Sequence, residues 1–312
     1  MKYRKLGRTG LDVSILGFGG SSLGGAFREI DESEGIRTVH IALDHGINLI
    51  DTAPFYGLTK AETVLGKALK GIQRDRYLLA TKVGRYGYKL PDFNFSAERV
   101  TRSVEESLKR LGVDHVDFIQ VHDMEFGDLD VIVNETIPAL RKIQSAGKAR
   151  YIGITGLPVK LYRQVMDRVD VDQIQSYCHY CLNDTSLADQ LPYFQEKGVA
   201  ILNSAPLAMR LLSDEGPPDW HPAPPDLKAK CAEAAKYCRD RGSNIGKLAL
   251  QFAVAHPGIP TNIVGTANPS RILQNIREIE EPLDVELLAG VLKILLPVHN
   301  VTWASGRPEN NR

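Results

Sequence analysis

The chain is poor in cysteine, with four in 312 residues, and its charge cancels, with 38 basic against 38 acidic side chains. A balanced surface offers no basic field for nucleic acid and no polybasic patch for a membrane, though it leaves room for a local basic pocket that takes a phosphate. Long hydrophobic runs are missing too. VLKILLPV near the end is too short to span a bilayer, and no signal-type apolar core follows the charged start MKYRKLGRTG. These absences point to a soluble, cytoplasmic protein with reduced thiols. Cys178 and Cys181 form a lone C-x-x-C, half of a four-ligand set, so no metal is expected. Cys231 and Cys238 lie seven apart on a helical stretch and read as small core hydrophobes. The sequence shows neither an internal repeat nor a low-complexity tract.

What is present is alternation. Short β-rich runs occur at 15–20, 48–53, 77–84, 115–123, 150–156, 172–180, 199–207 and 261–267. Several are nearly continuous apolar runs, as parallel strands covered on both faces require. Amphipathic helices lie between them. In SAERVTRSVEESLKRLG, Val100, Val104, Leu108 and Leu111 share one face, Ser96 stands at the N-cap and Gly112 at the stop. Eight such units predict an α/β fold, a closed (β/α)8 TIM barrel with residues 1–312 as one domain. The open doubly wound alternative needs a phosphate-binding glycine fingerprint, and GFGGSSLGG fails it at Ser22. Residues 1–14 read as a β-hairpin turning at Arg8–Gly10 that plugs the barrel bottom. Residues 208–228 form a Pro-rich loop carrying Trp220 and His221, on the face where barrel enzymes touch substrate. The C-terminal SGRPENNR reads as a frayed tail.

Asp51, Tyr56, Lys82 and His122 stand at the ends of three successive predicted strands, in NLIDTAPFYG, LLATKVG and FIQVHD. Singly, each has a structural reading as a helix cap, a lining aromatic, a surface ion pair or a satisfied polar group. Together at the C-terminal ends of neighbouring strands they form a candidate proton-transfer unit. A phenol with a pKa near 10 is a poor acid or base at neutral pH. An adjacent ammonium, itself held by a carboxylate, is expected to lower that value toward working pH. His122 would orient the substrate oxygen. No side chain here carries a hydride, so a tyrosine-centred site suits redox chemistry with a bound nicotinamide.

The segments LGRTGLDVSILGFGG, GINLIDTAPFYG, LLATKVG, QVHD and IVGTANPSRILQN resemble the aldo-keto reductase family across the hairpin, all eight units and the C-terminal helices. The resemblance implies a nicotinamide-dependent oxidoreductase in which Asp51, Tyr56, Lys82 and His122 match the catalytic tetrad. It places Thr155 and Gly156 where a Ser–Asn pair usually holds the carboxamide, and Gln175 at the carboxamide-binding glutamine. Ser204 stands where many members stack a tyrosine, and Ala205, Pro206 and Leu207 line the pyrophosphate region. Gly19 joins the cofactor-binding set. Gly265 replaces a lysine that NADPH-preferring members place at the 2′-phosphate; Arg271 is retained, to stack on adenine or to meet a phosphate, and Thr266, Gln274 and Asn275 match adenosine contacts. The missing ammonium, good for about 1–3 kcal/mol of charge-assisted hydrogen bonding, favours NAD over NADP.

Within the family, FNFSAERV, VHDMEFG, ETIPALRKIQ, YIGITGLP, SYCHYCLND and APLAMRLLSDEGPPDWHPAPP resemble members that oxidise a free, L-galactose-like aldose at C1 to the lactone. By this resemblance Tyr56 takes the anomeric proton, and Phe55, Tyr180, Trp220 and His221 are candidates for the sugar ring. The alternatives are an NADPH-dependent reductase of small aldehydes and ketones, which runs the same tetrad in reverse, and a cofactor-sensing regulatory subunit. The partner expected in each enzymatic reading is a small molecule, with no nucleic acid and no membrane. Oligomeric state is not legible.

Overall fold

The computed structural model describes residues 1–26 and 29–311. The hairpin pairs β1 (Tyr3–Lys5) antiparallel with β2 (Asp12–Ser14) around a single 3-10 turn, Gly7–Thr9. Eight parallel strands then close a barrel: β3 (Leu16–Gly19), β4 (Leu49–Asp51), β5 (Leu78–Val83), β6 (Val116–Val121), β7 (Ala149–Gly156), β8 (Gln173–Tyr177), β9 (Ala200–Ser204) and β10 (Thr261–Gly265). β10 pairs with both β3 and β9, which closes the ring. All eight expected strands are present; seven lie within the ranges read from the sequence, and β7 begins one residue earlier, at Ala149.

The hairpin covers the bottom because its apolar residues have nowhere else to go. Leu6 and Val13 pack into a buried cluster with Leu49, Ala80, Phe118, Ala200, Leu202 and Ile263. Polar bonds tie the hairpin down: the Arg8 amide donates to the Gly198 carbonyl at 2.6 Å, and the Arg4 guanidinium reaches the carbonyls of Val254, His256 and Ile259.

The outer ring comprises α1 (Glu32–Asp44), α2 (Lys60–Leu69), α3 (Ala97–Leu111), α4 (Leu129–Val131) running through a π-turn into α5 (Ile137–Ser145), then α6 (Lys160–Met166) and α7 (Ser186–Glu196). Helix α3 follows its sequence signals. Ser96 Oγ accepts from the Arg99 amide, Gly112 turns the chain at φ 68°, and Val100, Val104, Leu108 and Leu111 are buried. Two helices, α8 (Pro225–Arg239) and α9 (Ile245–Ala255), separate β9 from β10. After α10 (Pro269–Glu278), α11 (Val285–Leu295) packs against α8 over a second core that contains Cys181, Cys231 and Cys238.

One expectation fails. The C-terminal segment is docked rather than frayed. Asn310 is buried and donates to the carbonyls of Glu125 at 2.8 Å and Gly127 at 3.1 Å, and Arg307 donates its amide to the same Glu125 carbonyl. Side-chain amides facing bare loop carbonyls supply the partners that composition alone did not reveal.

Candidate active site

Register brings the predicted residues together. Asp51 ends β4 opposite Ala80, and Lys82, two residues further along β5, points to the same interior face. Gln120 of β6 is the register partner of Lys82, and His122 follows β6 directly. Tyr56 lies in the turn after β4. Backbone contact holds that turn: a Cβ on Gly57 (φ +61°) would meet the Gly24 carbonyl oxygen at 2.2 Å, so only glycine lets the two loops touch.

Lys82 is almost fully buried, and its three ammonium protons are taken by Asp51 Oδ1 at 2.7 Å, Asp51 Oδ2 at 2.6 Å and the Thr52 carbonyl at 2.8 Å. Gln120 and Gln175 donate their side-chain amides to the same carboxylate at 3.2 and 3.3 Å. The ammonium lies 5.0 Å from the centre of the Tyr56 ring, and the Tyr56 and His122 rings meet edge to face at 5.6 Å.

The electrostatics correct one expectation. Burial pushes the Tyr56 phenol up to about 12; the Lys82 charge opposes this, and Asp51 adds to it. The ammonium does not win because the loss of solvent around the buried phenol outweighs its field, and Asp51 offsets part of that field as well. Burial alone would discharge Lys82, but Asp51 and then Tyr56 hold it above its ordinary value. Burial drives the His122 imidazole down to about 3, so it is neutral at any working pH and can donate one N–H to a substrate oxygen.

These groups open into a cavity of about 1010 Å³ at the C-terminal rim. Gly19, Thr155, Gln175, Ser204, Ala205, Pro206, Leu207, Gly265, Thr266, Arg271 and Asn275 line it, as do Phe55 and Trp220. Four expected residues do not reach it. Gly156 faces Glu125, and its amide donates to the Tyr162 hydroxyl. Gln274 spends its amide on Glu278 at 2.8 Å. Tyr180 stacks on Phe252 in the core, with ring centres 5.3 Å apart. His221 is buried, its two ring nitrogens facing the Ala208 carbonyl and the Ala223 amide. Protein groups already occupy these four positions: a backbone bond at Gly156, a bond within α10 at Gln274, and core packing or backbone partners at Tyr180 and His221.

The remaining residues fit a nicotinamide dinucleotide. Gln175 donates to Ser204 Oγ at 2.9 Å, while its own Oε1 is buried without a partner among the described residues, an acceptor for a carboxamide N–H. At the far end a Cβ on Gly265 would lie 3.0 Å from the Gly19 carbonyl and 3.2 Å from the Ser21 and Ser22 hydroxyls, a narrow cradle where backbone can approach a ligand. Between these ends Ala205, Ala208, Met209 and Arg210 hold positive φ values of 52°, 46°, 51° and 77°. Strain clustered in non-glycine residues along a binding wall is a mark of function.

Sequence reasoning missed Arg85, Tyr88, Asp123, Tyr177 and Glu278, which also line the cavity. Arg85 sits one residue beyond the strand read at 77–84, and Asp123 is the last residue of the strand read at 115–123, so weighing every charged side chain at those ends would have found both. Tyr177 and Glu278 carry no local signal, since only the barrel curvature and the packing of α10 aim them inward.

The profile of the aldo/keto reductase family matches residues 15–295. L-galactose dehydrogenase of Arabidopsis thaliana is 48% identical to this chain, over 99% of each. D-threo-aldose 1-dehydrogenase of a Pseudomonas species is 28% identical, over 85% of this chain and 89% of the relative. Among solved structures, an aldo-keto reductase of Bacillus halodurans in its holo form covers all of both chains with a TM-score of 0.77 at 29% identity. With its closed barrel, its clustered tyrosine, lysine, aspartate and histidine, and these likenesses, this chain belongs to the aldo/keto reductase family, oxidoreductases that use nicotinamide cofactors.

Proposed function

We propose that this protein oxidises a free aldose, with L-galactose the first candidate, at C1 to the lactone, with NAD as hydride acceptor. The observation that carries the reading is the assembly of Asp51, Lys82, Tyr56 and His122 at one rim, inside a cavity with an aromatic wall. The near-full-length likeness to L-galactose dehydrogenase supplies the substrate class.

The neutral His122 imidazole orients the anomeric oxygen, and Tyr56 accepts its proton. Lys82, fixed by Asp51, stabilises the phenolate that this step needs. Gln175 and Thr155 offer hydrogen bonds to a carboxamide, and the strained 205–210 segment walls the phosphate side. When bound, the nicotinamide supplies the hydride acceptor and, in its oxidised form, a positive charge near the phenol. Gly265 supports NAD over NADP because it offers no cation, and Glu278, one turn beyond Asn275 and two beyond Arg271 on the same helix, adds a carboxyl to that end of the cavity.

One observation favours a second reading. A phenol raised to about 12 is protonated at neutral pH, which suits proton donation to a carbonyl and hence reduction of small aldehydes or ketones. The test is a side-by-side panel of L-galactose, L-fucose, D-arabinose and L-glucose with NAD and NADP, run beside small carbonyls with the reduced cofactors. Aldose oxidation that prefers NAD supports the proposal. Carbonyl reduction that prefers NADPH, with no aldose turnover, replaces it. Cofactor binding without any turnover would make the protein a sensor.

A further inference from the structure

The tetrad serves a single carbon, yet the cavity beside it contains an ion pair that no step above uses. Arg85 Nη1 donates to Asp123 Oδ2 at 2.5 Å, both side chains are mostly buried, and both line the cavity. The Arg85 guanidinium is stacked 3.6 Å over the Phe55 ring and stands near Phe93 and Phe126. Its Nε is buried with no partner among the described residues. Asp123 adopts φ 49° and ψ 61°, a left-handed conformation unusual outside glycine, and its amide is fixed on Thr155 Oγ1 at 3.0 Å. A strained backbone, a planar cation and an aromatic platform together aim one carboxylate into the substrate side of the cavity.

Distance identifies what that carboxylate meets. Asp123 Oδ2 lies 3.7 Å from His122 Nε2. That gap is too long for a direct bond, but it suits a pair of oxygens that each reach one of the two groups. Gauche oxygens on neighbouring carbons are separated by roughly one hydrogen-bond length, about 2.8 Å. Resting on the aldose reading above, we propose that Asp123, held by Arg85, accepts the C2 hydroxyl of the sugar while His122 engages the oxygen on C1, so that the pair selects 2-hydroxy aldoses over simple aldehydes and deoxy sugars. Binding an apolar substrate would cover the ion pair without satisfying it, and sites built to hydrogen-bond a hydroxyl reject analogues that lack it.

The test varies substrate and protein together, comparing kcat/KM for L-galactose, 2-deoxy-L-galactose and L-fucose, which lacks only the distant C6 hydroxyl. The proposal expects the wild-type protein to favour L-galactose over the 2-deoxy sugar by about 10²–10³-fold. In Asp123→Asn and Asp123→Ala that preference should shrink to within roughly tenfold, because a lost partner cannot be lost twice. The preference between L-galactose and L-fucose should not change. A purely structural role for Asp123 would lower all three rates together and leave the 2-deoxy ratio intact, which would overturn the proposal. If neither variant folds, competitive inhibition of the wild type by 1,5-anhydro-L-galactitol decides the matter. It should bind at least about tenfold more tightly than its 2-deoxy form, and equal binding would overturn the assignment. Oxidation of L-galactose without discrimination at C2 defeats this inference alone, whereas absence of aldose oxidation in the wild type removes the functional reading beneath it.

Discussion

Lys82→Met removes a charge at the most tightly bonded point of the barrel interior. The ammonium gives all three protons to Asp51 and Thr52, and its side chain is 1% exposed. Methionine roughly matches the stem in length, so the main loss is electrostatic. Asp51 keeps only the amides of Gln120 and Gln175 and becomes a buried carboxylate without a counter-charge. Removing one partner of a buried pair costs about 3–5 kcal/mol. The cost falls on a charge taken out of water with its partner gone, so it should vanish with the charge itself. The double variant Lys82→Met/Asp51→Asn removes the stranded charge and should lose only about 0–2 kcal/mol relative to wild type. Urea unfolding at pH 7.5 and pH 5 measures both. A single variant within about 1 kcal/mol of wild type, or a double variant no better than the single one, would refute the electrostatic reasoning.

Further outcomes follow from the same geometry. Because burial raises Tyr56 to about 12, its proton-accepting form grows with pH, so aldose oxidation should climb from pH 6 to 9 without a plateau near 7; a plateau below pH 7 contradicts the raised phenol. Burial followed by the Asp123 charge raises Glu125 from 4.5 to about 8, so its contribution to stability is intact below pH 4.5 and is lost as pH rises through 8. Glu125→Gln should flatten that slope and exceed wild-type stability at pH 8 by on the order of 3 kcal/mol, measured by denaturant unfolding across pH. Leu6→Ala hollows out the barrel bottom beside Phe118 and Leu202 and should cost about 2–5 kcal/mol in the same assay. Gly265→Lys should move the ratio of NAD to NADP dissociation constants toward NADP, and an unchanged ratio would place the discrimination elsewhere.

The barrel was legible because strand and helix periodicities alternate through most of the chain, and because Ser96 and Gly112 mark their helix ends with ordinary cap chemistry. The tetrad was legible because strand ends in a closed barrel share one rim, so linear spacing translates directly into proximity. The magnitude of the phenol's pKa was not. It depends first on how completely the folded barrel buries the phenol, and then on how far Asp51 offsets Lys82, and neither is written in the linear spacing. Tyr180 and His221 were misplaced for a similar reason. Both follow strands or loops that face the rim, but Phe252 and the Ala208 carbonyl draw them into the core. The docked tail escaped notice because its anchor, Asn310, is polar and is buried only by partners about 185 residues away.

Tyr56→Phe offers the most direct test of the account, since it deletes one hydroxyl and leaves the ring in place. We expect L-galactose oxidation with NAD to fall by at least about 10²–10⁴-fold, while the NAD dissociation constant, followed by fluorescence titration, stays within roughly threefold of wild type. Near-native turnover in this variant would show that another group carries the proton, and the role assigned to Tyr56 would be wrong.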